Sequence, residues 1–259
     1  MIILIFLAGV LMSVEDFGLG DEVSLGTWLT IQNSDVVEVL SSLSLDWLMF
    51  DMEHGPATVN SLGNLLPAVS DDVVPFVRVP WNDKVWIKRV LDLGFEGLLV
   101  PYVNSVDEVY DVVDACRYPP EGVRGVGPRR AINYGEKDIK KYYDHFEDDL
   151  IIGIQIETRE SLDNLDEILS VDEVDMAFVG PYDLSASLGI FGDLENQEFK
   201  DAMDRVLAKC KDNDVVPGIF AGGREDAEKW ISDGFKFVSL GQDFSNLREK
   251  YSSDLDYLK

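Results

Sequence analysis

Ile151-Ile152-Gly153-Ile154-Gln155-Ile156-Glu157, with the segment that leads from it to Met176-Ala177-Phe178-Val179-Gly180-Pro181-Tyr182-Asp183, decides the fold. The first run reads as a buried strand that ends in a carboxylate. Arg159–Leu169 carries Leu162, Leu165, Ile168 and Leu169 at helical spacing and reads as an amphipathic helix. Met176–Gly180 is a second apolar strand, and Asp183 lies just beyond it. Parallel strands joined by a crossover helix bring their C-terminal ends side by side. Glu157 and Asp183 are therefore expected to share one divalent cation. The Gly180–Ser185 segment is expected to expose backbone N–H groups that can hold a substrate carboxylate beside the metal.

The same alternation extends in both directions. Strands are expected at Leu25–Leu29, Trp47–Asp51, Pro75–Val79, Gly97–Pro101, Ile151–Glu157, Met176–Gly180, Val216–Ala221 and Phe237–Gly241. Helical patterns fall at Ser34–Leu43, Ala57–Ser70, Asp83–Leu93, Val106–Arg117, Arg159–Leu169, Glu195–Lys211 and Arg224–Ser232. Eight strands alternating with helices favour a single α/β domain built as a (β/α)8 barrel over residues 25–259. An open doubly wound sheet would want a glycine-rich turn after its first strand, whereas Leu29-Thr30-Ile31-Gln32 follows here. Residues 1–24 read as an N-terminal extension. Its first part, Met1–Met12, is continuously apolar, too short to span a bilayer and without the basic lead of a signal peptide. Met12 as the true start, with residues 1–11 outside the native chain, is one expectation; a membrane-associated or barrel-capping segment is the other.

Forty-nine Asp and Glu against 22 Lys and Arg give a net charge of −27. The acids are spread over nearly every helix, which is the pattern of a surface that stays soluble in concentrated salt. The expectation is a halophile's cytoplasmic protein, with an acidic mesophilic enzyme as the alternative. Nucleic acid is excluded as a partner on charge, and nothing marks a membrane protein. Cys116 and Cys210 each continue an apolar helix face and read as small core residues, not as a disulfide or metal site.

A barrel places its chemistry at the C-terminal ends of its strands. Those positions hold Trp28, then Asp51 with Glu53 and His54, then Arg78, then Pro101, then Gln155 with Glu157, then Asp183. His54 is one of two histidines and suits a general base, with a nearby carboxylate to fix its tautomer. Arg78 closes an apolar strand and needs an anionic partner: substrate oxygen or developing enolate charge, or alternatively Asp51 or Glu53. The connection from Tyr118 to Leu150 is unusually long and carries Arg124, Arg129 and Arg130. It is expected to cover the active face and bind an anionic substrate, with Arg124 as a substrate-binding residue. A barrel insertion or a subunit contact is the competing reading.

Trp28, Phe50-Asp51-Met52-Glu53-His54, Val77-Arg78-Val79-Pro80-Trp81-Asn82-Asp83, Arg117–Gly125, Gln155-Ile156-Glu157-Thr158 and Val179–Ser185 resemble, in order, the signature segments of the HpcH/HpaI aldolases. These are class II, pyruvate-dependent aldolases of 2-keto-3-deoxy acids. The resemblance implies a TIM barrel of the pyruvate/phosphoenolpyruvate-binding type and a divalent metal cofactor (Mg²⁺, Mn²⁺ or Co²⁺) on Glu157 and Asp183. It further implies His54, paired with Asp51, as base; Arg78 as stabiliser of the enolate; Gln155 beside the metal; and the Pro181-Tyr182-Asp183 backbone as receptor for the pyruvate carboxylate. Tyr182, where the family commonly has alanine, and Gly127-Pro128-Arg129-Arg130 depart from the pattern. A homo-oligomer, usually a hexamer, is implied as well. The expected activity is reversible cleavage of a 4-hydroxy-2-oxo acid to pyruvate and an aldehyde. Decarboxylation of an oxaloacetate-type acid and a non-catalytic binding barrel are the rivals.

Overall fold

The structure, a computed structural model, describes residues 22–259. The expectations for Met1–Met12 and for most of the extension lie outside the described residues. Eight parallel strands, β1 (Ser24–Leu29), β2 (Trp47–Asp51), β3 (Val74–Arg78), β4 (Gly97–Val100), β5 (Ile151–Ile156), β6 (Met176–Val179), β7 (Val216–Ile219) and β8 (Phe237–Gln242), pair in sequence order. β8 pairs with β1, so the sheet closes into a (β/α)8 barrel.

Strand parity explains how the barrel is filled. Along β2, Trp47 and Met49 point inward and Leu48 and Phe50 outward, which puts Asp51 back inside at the top. The same alternation sends Val74 and Phe76 inward on β3, then Arg78. Below the polar rim the interior is an aromatic plug. Trp47 stacks on Phe237 with centroids 4.1 Å apart, and Phe76 and Phe178 pack at the edges. A Cβ at Gly26 would collide with the Trp47 ring, so the missing side chain on β1 makes room for the large one on β2. The outward residues, among them Leu48, Phe50, Val77, Ile154 and Val179, form the second apolar layer under the helices. Cys116 and Cys210 lie in that layer, where burial pushes both thiols up to about 12 and keeps them protonated.

Three helices fall outside the seven helical patterns given above. Pro181–Ser187 follows β6 directly, because Pro181 at its first position starts a helix without losing a needed N–H. Ile139–His145 lies within the long connection, and Asp243–Leu258 closes the chain. The expected Arg159–Leu169 helix is broken at Asn164 into Arg159–Asp163 and Leu165–Ile168.

The long connection corrects a second expectation. It leaves the helix Val106–Cys116 and enters β5 at its start, so it covers the N-terminal face of the barrel and not the active face. Arg124 goes with it. Its guanidinium is 3.1 Å from Asp92 Oδ1, at the end of the helix Lys84–Leu91, and lies over the rings of Tyr118 and Phe146 at 4.6 and 5.1 Å. At 1 % exposure it is a buried clasp holding the connection to the barrel, and within one chain it does not reach the strand ends.

Candidate active site

β2 and β3 run in register, with Asp51 opposite Arg78. The guanidinium meets the carboxylate in a fork: Arg78 Nε and Nη2 donate to Asp51 Oδ1 and Oδ2, each at 2.9 Å. Arg78 Nη1 lies 2.9 Å from Glu53 Oε2 and donates to Gln155 Oε1 at 3.4 Å. The cation also sits 4.3 Å from the Trp28 ring centroid. The alternative reading of Arg78, as an ion-pair partner of Asp51 and Glu53, is therefore present in full, inside the same cluster as the substrate-binding candidates Trp28 and Gln155.

This geometry corrects the expected Asp51–His54 pairing. Asp51 spends its oxygens on Arg78 and on the backbone N–H groups of Glu53 and His54, at 3.0 and 3.3 Å. The His54 ring is 65 % exposed, and its Nε2 is 4.0 Å from Glu53 Oε2, the carboxylate that faces it. Burial raises the Glu53 pKa, against the pull of Arg78 and His54.

Glu157 emerges from β5 into a tight setting. Its Oε1 accepts the Tyr102 N–H at 2.8 Å, and its Oε2 accepts from Gln155 Nε2. Burial pushes its pKa up to about 8, and the like charges of Glu53 and Asp183 add to the rise. Gly180 allows this approach: a Cβ there would stand 2.8 Å from Gln155 Nε2 and 3.2 Å from Glu157 Oε2. Pro181 and Tyr182 follow on the first turn of the short helix, and Asp183 is carried on the same turn to face Glu53 and Glu157. The first-turn N–H groups of such a helix have no partner within it.

Four carboxylates, Asp51, Glu53, Glu157 and Asp183, thus surround one guanidinium. Arg78 is committed to the first two; among the described residues neither Glu157 nor Asp183 has an ion-pair partner. A cation would balance this surplus of carboxylates, two of them buried and two half-buried, so the residues present fit one. Among the described residues no group of three or more His, Cys, Asp or Glu forms a complete cage. Two hard oxygens suit an ion of the Mg²⁺ kind, which completes its shell with water and substrate.

Two contributors escaped the sequence reading. Asp243, at the end of β8, accepts from Thr30 N, Thr30 Oγ1 and Ile31 N at 2.7–2.9 Å, and so fixes the loop that follows Trp28. Tyr102 supplies a backbone N–H to Glu157 from a left-handed conformation, φ 53°. A carboxylate just past β8 was a legible signal for the first. Nothing in the sequence marks the second.

The HpcH/HpaI aldolase/citrate lyase family matches residues 24–249, a span that contains every strand and every candidate residue just described. The chain belongs to this family. A 4-hydroxy-2-oxo-heptane-1,7-dioate aldolase of Escherichia coli is 38 % identical over 220 residues, covering 85 % of this chain and 84 % of that one. A HpcH/HpaI aldolase/citrate lyase family protein from Burkholderia cenocepacia J2315 superimposes with a TM-score of 0.90 at 32 % identity, over 95 % of this chain and 98 % of that one. A HpcH/HpaI aldolase from Desulfitobacterium hafniense DCB-2 gives 0.88 at 27 % identity, over 96 % and 97 %. This family member is a carbon–carbon lyase. No helix among the described residues is long and apolar enough to cross a membrane.

Proposed function

We propose that this lyase is a divalent-metal-dependent aldolase that reversibly cleaves a 4-hydroxy-2-oxo acid to pyruvate and an aldehyde. The observation that carries the reading is the surplus of carboxylate at the strand ends, where buried Glu157 and half-buried Asp183 face each other without a cationic side chain of their own. These two residues would hold Mg²⁺, Mn²⁺ or Co²⁺, which when bound supplies a Lewis acid for the 2-oxo group. The first turn of Pro181–Ser187 offers its N–H groups to the substrate carboxylate.

In the cleavage direction His54 takes the proton of the substrate 4-hydroxyl, with Glu53 facing the imidazole. The C3–C4 bond breaks, the aldehyde leaves, and the bonding pair moves toward the C2 oxygen. Arg78, held by Asp51 and stacked over Trp28, presents its guanidinium to the negative charge that develops there. A proton returned to C3 gives pyruvate. The protein is also read as a homo-oligomer. Phe244, Leu247, Tyr251, Leu255 and Leu258 form an exposed apolar stripe along the terminal helix, a surface suited to a second copy. The acidic composition supports work in concentrated salt inside a cell.

The test is pyruvate release from 4-hydroxy-2-oxo acids in molar KCl, with EDTA and then with each metal restored. Metal-dependent release is expected. Release that EDTA leaves untouched refutes the metal assignment, and decarboxylation of oxaloacetate with no aldol cleavage refutes the aldolase.

A further inference from the structure

The rim of the site carries two aromatic residues that the proposed chemistry does not use, one exposed and one half-buried. Trp81, three residues past the end of β3, is 55 % exposed although it is a large aromatic residue. Tyr102, two residues past the end of β4, stacks on it, with ring centroids 5.2 Å apart and planes inclined by 29°. Tyr102 holds this position at φ 53°, a region that bulky side chains rarely enter. Its conformation is fixed from three sides: its N–H is bound to Glu157, its carbonyl accepts from Asn104 Nδ2 at 3.1 Å, and its ring lies on Trp81. A strained bulky residue bonded directly to a candidate metal ligand is the kind of outlier that marks a working surface. The charged groups that face its phenol are Glu157, Asp183, Glu53 and Arg78, three carboxylates against one cation. Arg78 is held by Asp51 and Glu53 and in the proposed chemistry faces the C2 oxygen, which leaves no further cation in this group for a second anionic end of a substrate.

We propose that the stacked Trp81–Tyr102 pair is the wall against which the aldehyde-derived part of the substrate lies, and that it selects aldehydes with a flat apolar face, aryl aldehydes above all, over aldehydes that end in a carboxylate. This rests on the aldolase reading of the same site. It sets the chain apart from its Escherichia coli relative, which is named for a dioate. In the synthetic direction C3 of pyruvate, after giving up one proton, bonds to the aldehyde carbon, and the aldehyde oxygen takes a proton. Only the remainder of the aldehyde meets the wall, through its ring face.

The experiment is condensation of pyruvate with benzaldehyde and with succinic semialdehyde, in molar KCl with Mn²⁺, for the full chain and for Trp81→Ala, Trp81→Phe and Tyr102→Met. The kcat/KM ratio of benzaldehyde to succinic semialdehyde is expected to exceed about 10 in the full chain, the scale of discrimination that one apolar contact provides. Trp81→Ala and Tyr102→Met should bring it close to one, and Trp81→Phe, which keeps a ring to stack on, should restore most of it. Preference for succinic semialdehyde, or a ratio that neither Trp81→Ala nor Tyr102→Met moves, overturns the wall and leaves the aldolase standing. A changed oligomeric state in Trp81→Ala with an unmoved ratio also overturns it, because the ring then belongs to a subunit contact. No condensation with either aldehyde removes the aldolase reading, and the wall falls with it.

Discussion

Arg78 and Arg124 are both buried, and both lie over aromatic rings, yet they serve opposite ends of the barrel. Arg124, at the N-terminal face, meets one carboxylate, Asp92, with the Tyr142 hydroxyl and two rings around it. Charge there is matched one for one. Arg78, at the C-terminal face, is outnumbered by Asp51, Glu53, Glu157 and Asp183. A matched pair holds structure together; an outnumbered cation leaves unsatisfied charge for a ligand to complete. What separates the structural arginine from the one proposed for chemistry is the local sum of charges, since burial and stacking are common to both.

The largest effect is expected where the surplus is greatest. Glu157→Gln keeps the shape of the side chain and removes one hard anionic oxygen donor. It should lower metal-dependent pyruvate release by about 10³-fold or more, because charge stabilisation is commonly the largest single contribution to such a reaction. Near-full activity in this variant would end the contrast between the two faces.

The two arginines should then part company. Arg78→Met strands Asp51 and Glu53 and takes a donor from the reacting oxygen, so kcat should fall by about 10²-fold or more. Arg124→Met strands Asp92 at the other face. The cost of leaving one partner of a buried pair, roughly 3 kcal/mol, should appear as a Tm lower by on the order of 10 °C. At a temperature where that variant is folded, its kcat should change by less than about tenfold, the scale left once no transition-state donor has been removed. Equal losses of kcat in the two variants would refute the assignment of Arg124 to structure alone.

A third and smaller difference concerns pH. Asp175, just before β6 at the N-terminal face, accepts the Ile152 N–H at 2.7 Å, and burial raises its pKa to about 6. Glu157 is raised to about 8 at the other face. A carboxyl group whose pKa is higher folded than unfolded adds stability at low pH that is lost as pH rises through the folded value. Without metal, stability should therefore fall from pH 3.8 to about 6 on account of Asp175, and from pH 4.5 to about 8 on account of Glu157. Urea titrations across this range should find the upper window abolished by Glu157→Gln and by saturating Mn²⁺, with the Asp175 window intact until Asp175→Asn removes it. A metal that moved both windows equally would break the distinction between the faces.

Much of this was legible in the chain. Trp47-Leu48-Met49-Phe50-Asp51 spells out strand parity, and parity alone carries Asp51 into the barrel. The order strand–helix–strand around Glu157 and Asp183 puts those two carboxylates at one end. The side of the long connection was legible too: it follows the helix Val106–Cys116, and a segment leading from helix to strand must enter at the N-terminal face. Its arginines drew attention to the active face because positive charge is scarce in this chain. Other features had no sequence signal. The fork between Arg78 and Asp51, which takes Asp51 away from His54, depends on cross-strand register. Tyr102 reaches its left-handed conformation only because Glu157, Asn104 and Trp81 all hold it there.

The aromatic plug under the site has a bearing on how such a chain can change. Gly26 leaves the space that Trp47 fills, and Gly97 does the same for Phe76. Neither member of such a couple can be replaced alone without a collision or a void in the barrel floor. Each glycine and its ring therefore amount to a single inherited unit spelled out at two distant places in the sequence. Drift at one must wait for a simultaneous change at the other, while the rim above, where Trp81 and Tyr182 stand in solvent, is open to revision one residue at a time.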